Sequence, residues 1–309
     1  MTNDFMTIDF PTIIIIAGPT AVGKTSIAIQ LAKHFHTQII SADSRQCYKE
    51  LNIGVARPSL RELTEVKHHF IASHSIQEKV TAASFEEYAL QKTEEIFEQN
   101  KVAVMVGGTG LYIKAFCEGM DEMPDVPETI RREIRLEYGQ KGLEWLQQQV
   151  QKYDPEFYKV GEIRNPQRLM RALEVHKATG RSVEDFRKGK KEQRGFNIIK
   201  IALTIPKDQL HHNINGRVDK MMQEGLLEEV RSLRPHQHWN ALQTVGYKEL
   251  FDYLNGKTTL EDAIELIKKN TRQYAKRQLT WFRKDKEYTW FPPDANAIIE
   301  YLDREEAKS

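Results

Sequence analysis

The residues best suited to chemistry lie near the start of the chain, in the segment Gly18-Pro19-Thr20-Ala21-Val22-Gly23-Lys24-Thr25. This segment satisfies the pattern G-x-x-x-x-G-K-[ST], in which the glycines let backbone N–H groups turn inward around phosphate oxygens. The ammonium group of Lys24 can neutralise phosphate charge, and the hydroxyl group of Thr25 can hold Mg²⁺. An apolar run precedes the segment and a helical pattern follows it, as in a strand–loop–helix unit. The pattern predicts a phosphate site and leaves open which phosphate binds.

A second candidate group is the carboxylate of Asp43, which follows a predicted short strand at residues 38–41. Open α/β sheets bind their ligands beyond the carboxyl ends of parallel strands, and Asp43 would lie at such an end. A carboxylate there can bind Mg²⁺, accept a proton or cap the next backbone turn. The residues alone do not choose among these three roles.

The elements that would position these groups alternate between strands and helices. We predict strands at residues 13–17, 38–41 and 102–106, and helices at residues 24–35 and 84–99, the second opened by a Ser84 cap. This alternation indicates a parallel sheet with helices on both faces. The predicted fold class is therefore α/β, with a P-loop NTPase-like core.

The composition changes at residues 124–127, where two prolines break the pattern, and the chain then has helical periodicity up to about Arg194. Asn165-Pro166 is a good helix start and Gly180 a good stop, which predicts a helix at residues 167–179. A strand pattern returns at 197–205, followed by helices at 207–224, 226–233, 247–254 and 259–284 and an edge strand at 288–291. We expect a core in two parts, residues 1–123 and 196–309, interrupted by an all-helical insertion domain at 124–195.

Composition and charge limit the class of protein. The 309 residues contain 45 Lys and Arg against 44 Asp and Glu, which excludes a uniformly basic nucleic-acid coat protein. Two regions are locally basic, because residues 268–286 hold eight Lys and Arg against one Asp and residues 164–194 hold ten against four Asp and Glu.

No apolar run near the start approaches the ~20 residues that span a bilayer, so we expect no membrane association. The two cysteines are too few for a disulfide framework or a zinc cluster, and we expect a cytoplasmic protein.

An ordered set of motifs resembles the tRNA dimethylallyltransferase (isopentenyltransferase) family in its bacterial form. The motifs are the P-loop at 18–25, SADSRQ at 41–46, KHH at 67–69, GGT at 107–109, NPQR at 165–168, RVDKM at 217–221, GYKE at 246–249 and TRQYAKRQ at 271–278. One of these motifs alone would be weak, but the ordered set extends over nearly the whole chain. The resemblance is therefore highly specific.

The resemblance implies an enzyme that transfers a five-carbon prenyl group from dimethylallyl diphosphate to the N6 amine of the adenosine beside the tRNA anticodon. It implies that the P-loop holds the leaving diphosphate, with Mg²⁺ as the cofactor at Thr25. Asp43 matches the base that takes a proton from the attacking amine. Arg217 matches an arginine that contacts the diphosphate, and Thr109 matches a small hydroxyl residue where adenine and prenyl donor meet.

The resemblance also implies the anticodon stem-loop of tRNA as the partner, with the target adenosine flipped out of its stack. The implied RNA contacts are Asp43, Ser44, Arg45, Gln46, Arg131, Gln167, Arg168, Leu169, Met170 and Arg171. The spacing of basic residues near the C-terminus predicts two further RNA contacts, Arg272 and Lys276, which lie close to one stripe along the surface of a helix. We expect the active species to be a monomer.

Three alternatives stay open from the sequence. A P-loop small-molecule kinase would use Asp43 to activate a hydroxyl group and would turn over ATP. An isopentenyltransferase for free adenine nucleotides would act on AMP and be indifferent to salt. An RNA-binding ATP switch would bind RNA in a nucleotide-dependent way and form no covalent product.

Overall fold

The computed structural model describes residues 10–189 and 191–306. The chain divides into two compact units. The smaller, termed the insertion unit, is Glu118–Glu192, and the larger, termed the core unit, comprises the chain up to Cys117 and from Gln193 onward. These limits lie a few residues before the expected 124 and 195.

The core unit is built on a six-stranded sheet whose strands are all parallel, in the order β3-β2-β4-β1-β5-β6. The strands are β1 (Thr12–Ala17), β2 (Ile39–Ala42), β3 (His68–His69), β4 (Val102–Gly107), β5 (Asn197–Leu203) and β6 (Thr289–Phe291). The four isoleucines of β1 are fully buried and alternate between two hydrophobic clusters, one on each face of the sheet. A strand covered on both faces favours such a continuous apolar run. The predicted α/β class is confirmed.

Twelve α-helices are present in the described residues. They are α1 (Lys24–His34), α2 (Leu60–Glu65), α3 (Ala82–Phe97), α4 (Gly110–Glu118), α5 (Glu128–Tyr153), α6 (Pro155–Val160), α7 (Pro166–Thr179), α8 (Lys207–Gln223), α9 (Leu226–Ser232), α10 (Tyr247–Leu254), α11 (Leu260–Lys284) and α12 (Ala295–Glu306). Among the described residues, no helix is both long enough and apolar enough to cross a membrane.

The start of α3 corrects one prediction. The N-cap is Thr81 and not Ser84, because the Thr81 hydroxyl accepts the N–H of Ser84 and the Ser84 hydroxyl accepts the N–H of Thr81. Ser84 is therefore the third residue of a reciprocal capping box. Both residue types cap helices, and the sequence pattern did not separate them. Helix α10 has the predicted limits, and β6 is the predicted edge strand.

All the regular secondary structure in the described residues of the insertion unit is helical, with α5 kinked at Gly142. The carboxylate of Asp154 is almost fully buried and accepts hydrogen bonds from the N–H groups of Phe157 and Val183 and from the Ser182 hydroxyl. These bonds tie the start of α6 to the segment that follows α7. The α7 helix begins where predicted, with the Asn165 side chain as its cap, and ends at Gly180.

Candidate active site

The P-loop leaves β1 and enters α1 through left-handed glycines. Gly18 has φ +140° and Gly23 has φ +101°, which L side chains rarely adopt. A Cβ atom on Gly18 would also lie 2.9 Å from the Leu203 carbonyl oxygen at the end of β5. Since α1 begins at Lys24, its N-terminal N–H groups point at the loop and favour a bound anion.

Two cations of the core unit converge on this loop. Lys24 Nζ donates to the Pro19 carbonyl at 2.7 Å, and Arg217 Nη1 donates to the Thr20 hydroxyl at 3.3 Å. Burial, and then the neighbouring Arg217, lower the pKa of Lys24 to about 7, against an opposing effect of Asp43. Burial also lowers the pKa of Arg217. Partly desolvated cations side by side favour an anionic ligand, because its charge would compensate both.

Asp43 lies directly after β2, at the carboxyl edge of the sheet. Its Oδ1 atom accepts the N–H groups of Arg45 at 2.9 Å and Gln46 at 3.3 Å, so the capping role is present. Within residues 10–189 and 191–306, no hydrogen bond to Oδ2 is formed. Capping and proton transfer are therefore compatible, since they use different oxygens of one carboxylate.

Thr109 lies next to Asp43, at the end of the neighbouring strand β4. The Thr109 hydroxyl accepts the N–H of Ser44 at 3.0 Å, and the Thr109 N–H donates to the Ala42 carbonyl at 3.2 Å. The strand ends approach so closely that a Cβ atom on Gly107 would overlap that same carbonyl. The structure thus brings Thr109 beside Asp43.

Sequence reasoning placed Gln278 and Tyr274 in the TRQYAKRQ motif but assigned neither to the site. Helix α11 projects both into the site, one turn apart. The Gln278 side chain is 6% exposed, its Oε1 accepts the Thr20 N–H at 2.8 Å, and its Nε2 donates to the Gly108 carbonyl at 2.9 Å. Burial, and next the Asp43 charge, raise the pKa of Tyr274 to about 12. The i, i+4 spacing of the two residues on a helix already read as basic was the available signal.

One cavity of about 1060 Å³ collects these groups except Thr109, which is not among its lining residues. Its polar lining comes from the P-loop, including Lys24 and Thr25, and from Asp43, Arg217, Tyr274 and Gln278. Apolar residues of the segment after β2 and of α8 line another part. The cavity is at the upper end of the size range of small-molecule sites, with room for a diphosphate ester and a second reactant.

Two of the predicted RNA contacts near Asp43 line a different pocket. Ser44 and Arg45 border a pocket of about 350 Å³ together with Tyr112 and Trp239. Arg45 Nη1 donates to the carbonyl of Asn240 at 3.0 Å. A guanidinium group with aromatic rings around one pocket is a combination that binds nucleobases in RNA-binding proteins.

Gln46, another predicted RNA contact, lines the large cavity but has its amide group bonded within the protein. Its Nε2 atom donates to the carbonyls of Val55 at 3.1 Å and Ala56 at 2.9 Å. Gln46 therefore anchors a neighbouring loop of the cavity wall.

The predicted contacts on α7 need a correction. Leu169 is fully buried and Met170 is 6% exposed, both in the hydrophobic core of the insertion unit, so their side chains do not face solvent for RNA contact. Gln167 and Arg168 on the same helix are exposed. The helical period explains the difference, because successive residues are rotated by about 100° around the helix axis, so the adjacent residues Arg168 and Leu169 face different sides.

Two other arginines of the insertion unit turn toward one buried carboxylate. Arg131 Nε lies 3.9 Å and Arg171 Nη1 lies 3.8 Å from Glu174 Oε2.

On α11 of the core unit, Arg272 donates to the Asn215 side chain at 2.7 Å, whereas Lys276 is exposed. Arg168 and Lys276 are therefore the most accessible of the predicted basic contacts on these helices.

The residues present fit a magnesium ion carried in with a diphosphate. Among the described residues, no group of three or more His, Cys, Asp or Glu side chains could hold a metal ion. Mg²⁺ typically keeps several waters and binds through few protein ligands plus substrate phosphates. Thr25, the second residue of α1, lines the cavity, as such a binding mode needs.

A parallel α/β sheet with a P-loop, two converging cations and a carboxylate at the neighbouring strand end defines a P-loop protein with a site for a phosphate-bearing reactant. The sequence model of the family described as IPP transferase matches residues 46–285. This chain belongs to the IPP transferase family.

Curated relatives and solved structures agree with this assignment. The chain is 50% identical over 290 residues to a tRNA dimethylallyltransferase of Christiangramia forsetii. The aligned region covers 93% of this chain and 96% of the relative. The tRNA isopentenylpyrophosphate transferase of Bacillus halodurans has a similar fold, with a TM-score of 0.70 and 36% identity over 96% of both chains. A eukaryotic dimethylallyltransferase acting on tRNA gives a TM-score of 0.70 with 28% identity over 87% of this chain and 69% of that one. The resemblance predicted from the motifs is confirmed.

Proposed function

We propose that this protein transfers a dimethylallyl group from dimethylallyl diphosphate to the N6 amine of the adenosine adjacent to the tRNA anticodon. The products are N6-isopentenyladenosine and diphosphate. The observation that carries the proposal is one cavity that holds both the P-loop cations and the Asp43 carboxylate. One side of that cavity suits a departing diphosphate, and the other suits an amine that must lose a proton.

The P-loop side stabilises the leaving group. As the C–O bond of the donor breaks, negative charge grows on the diphosphate, and the loop N–H groups, Lys24 and Arg217 are already oriented toward it. When bound at Thr25, Mg²⁺ would neutralise further diphosphate charge. Gln278 holds the Thr20 N–H and thereby keeps the loop in one conformation.

The Asp43 side activates the nucleophile. An adenine amine is weakly nucleophilic, and a carboxylate within hydrogen-bond reach takes its proton as the new C–N bond forms. The Oδ2 atom serves this role while Oδ1 keeps the backbone of Arg45 and Gln46 in place. The adenine reaches Asp43 by leaving its stack, which costs least in a single-stranded loop.

The end of β4 argues against the kinase alternative. Many P-loop kinases and ATPases place a metal-binding Asp at the end of a strand beside the loop. Here β4 ends at Gly107 and continues into Gly108 and Thr109, with no carboxylate. The exposed Lys276 and Arg168 favour an RNA substrate over a free nucleotide.

We further propose that the protein acts as a monomer in the cytoplasm. The groups assigned to the chemistry, Lys24, Asp43 and Arg217, line one cavity within a single chain, as a monomeric enzyme requires. Both cysteines are buried, and two are too few for the disulfide framework that is typical of secreted proteins, which suits a reducing compartment.

The test is incubation of the protein with Mg²⁺, labelled dimethylallyl diphosphate and unmodified tRNA. Label should enter the tRNA at the adenosine beside the anticodon, and a tRNA with guanosine at that position should stay unlabelled. Parallel reactions with AMP and with ATP address the two other enzyme functions. ATP hydrolysis, or labelling of AMP, without label in the tRNA would refute the proposal.

A further inference from the structure

The segment Asn52–Pro58, here called the wall segment, contributes six residues to the lining of the large cavity. It contains neither helix nor strand, and Ala56 has the left-handed φ of +48°. Only two internal backbone hydrogen bonds, from Ala56 N to Ile53 O and from Arg57 N to Asn52 O, span it. Its conformation therefore depends on groups outside it.

The carboxylate of Glu229 on α9 holds the wall segment by its backbone. Glu229 Oε2 accepts the N–H of Ile53 at 2.7 Å, and Oε1 accepts the N–H of Gly54 at 3.1 Å. Oε1 also accepts the hydroxyl of Tyr247 on α10 at 2.5 Å. Hydrogen bonds to a charged acceptor are stronger than neutral ones, so this carboxylate is a firm anchor.

Tyr247 fixes the same point by packing. Its side chain is fully buried, and a Cβ atom on Gly54 would lie 2.6 Å from its ring, so the ring rests directly against the segment backbone. Burial and the Glu229 carboxylate raise the pKa of Tyr247, which keeps its hydroxyl a donor. On the other side, Gln46 bonds the carbonyls of Val55 and Ala56.

The wall segment supplies much of the apolar lining of a cavity whose other side is the polar P-loop. Ile53, Val55 and Ala56 line it, together with Met221 of α8. A prenyl diphosphate must place its diphosphate at the P-loop, which leaves the apolar part of the cavity for its hydrocarbon chain. The position of the wall segment then limits the space for that chain.

We propose that Glu229 and Tyr247 are positioning residues that set the donor length which this cavity accepts, by fixing the backbone at Ile53 and Gly54. The inference rests on the proposed prenyl transfer. While Glu229 and Tyr247 hold the wall segment in place, a ten-carbon donor is disfavoured relative to the five-carbon donor. When these contacts are lost, the preference for the five-carbon donor falls.

The test compares Glu229→Gln and Tyr247→Phe with Glu228→Gln, the adjacent exposed carboxylate, as the matched control. In Glu229→Gln, the amide nitrogen replaces one carboxylate oxygen and cannot accept a backbone N–H of the wall segment. In Tyr247→Phe, only the hydroxyl group that donates to Glu229 is lost. The kcat/KM ratio of dimethylallyl to geranyl diphosphate is measured with saturating tRNA. We expect this ratio to fall about tenfold in Glu229→Gln and less in Tyr247→Phe, as for loss of a charged hydrogen bond. Glu228→Gln should match the wild type.

Calorimetry without tRNA measures the ratio of the affinities for the two donors, independently of catalysis. Thermal unfolding measures the stability of each variant. If both donors lose activity and affinity in the same proportion, so that the ratio stays at the wild-type value, the proposal is overturned and the contacts are only structural. Absence of prenyl transfer by the wild type would instead refute the proposed function. A fall in the binding ratio would support the wall as the determinant of donor length even then.

Discussion

Gln278 of α11 accepts a hydrogen bond from the backbone N–H of Thr20 in the P-loop at 2.8 Å, across 258 positions of sequence. The same amide group donates to the Gly108 carbonyl after β4. Because Gly108 has no Cβ atom, the amide can approach that close. The conformation of the phosphate loop is thereby tied to the helix that also carries the exposed Lys276.

Replacement of Gln278 by Leu should weaken diphosphate binding. The change keeps the side-chain size but leaves the Thr20 N–H and the Gly108 carbonyl without their partner, at a cost of about 1–3 kcal/mol per buried group. We expect roughly tenfold weaker binding of dimethylallyl diphosphate by calorimetry. Gln273→Leu, on an exposed position of the same helix, is the control. Equal affinity in both variants would show that the loop holds its conformation without Gln278.

Asp43→Asn should separate chemistry from structure. The Asn side-chain oxygen can still accept the N–H groups of Arg45 and Gln46, so the turn is kept while the base is lost. We expect single-turnover prenyl transfer to slow by about 10²–10⁴-fold, with tRNA affinity largely unchanged. Asp252→Asn, at a half-exposed carboxylate far along the chain, is the control. Weak tRNA binding with normal turnover at saturation would assign Asp43 to RNA binding instead.

Diphosphate binding should take up a proton at Lys24. With a pKa of about 7 in the ligand-free protein, Lys24 is mostly neutral at pH 8, and an adjacent diphosphate favours its charged form. Affinity should therefore fall as pH rises from about 7 toward the ordinary lysine value. Calorimetry at pH 8 in two buffers of different ionisation enthalpy measures the uptake. Binding enthalpies that do not depend on the buffer would mean that Lys24 is already charged.

Charge removal at Lys276 should change the salt dependence of tRNA binding. Each phosphate contact releases counterions, so Lys276→Gln is expected to lower the slope of log affinity against log salt by about 1. Lys257→Gln, at an exposed lysine that pairs with Asp252, should leave the slope unchanged. An unchanged slope in Lys276→Gln would place the RNA contact on other residues. Lys276 is a cleaner probe than Arg272, whose side chain also holds Asn215.

Local signals in the sequence determined much of this protein. The P-loop, the alternation of strands and helices, and α7 with its Asn165 cap depend on residues within a few positions of each other, which is the range that periodicity and capping describe. The motif order was enough to predict the family. Asp43 was placed at a strand end for the same local reason.

The tertiary structure decided which side chains share the site. Arg217 reaches Thr20, Gln278 holds the same residue, and Glu229 bonds Ile53 across 176 positions. Leu169 and Met170 are buried in the core of the insertion unit, so their side chains are not available for the predicted RNA contacts. These outcomes depend on how distant helices pack, which is set by the fit of whole surfaces and is not encoded in the spacing of neighbouring residues.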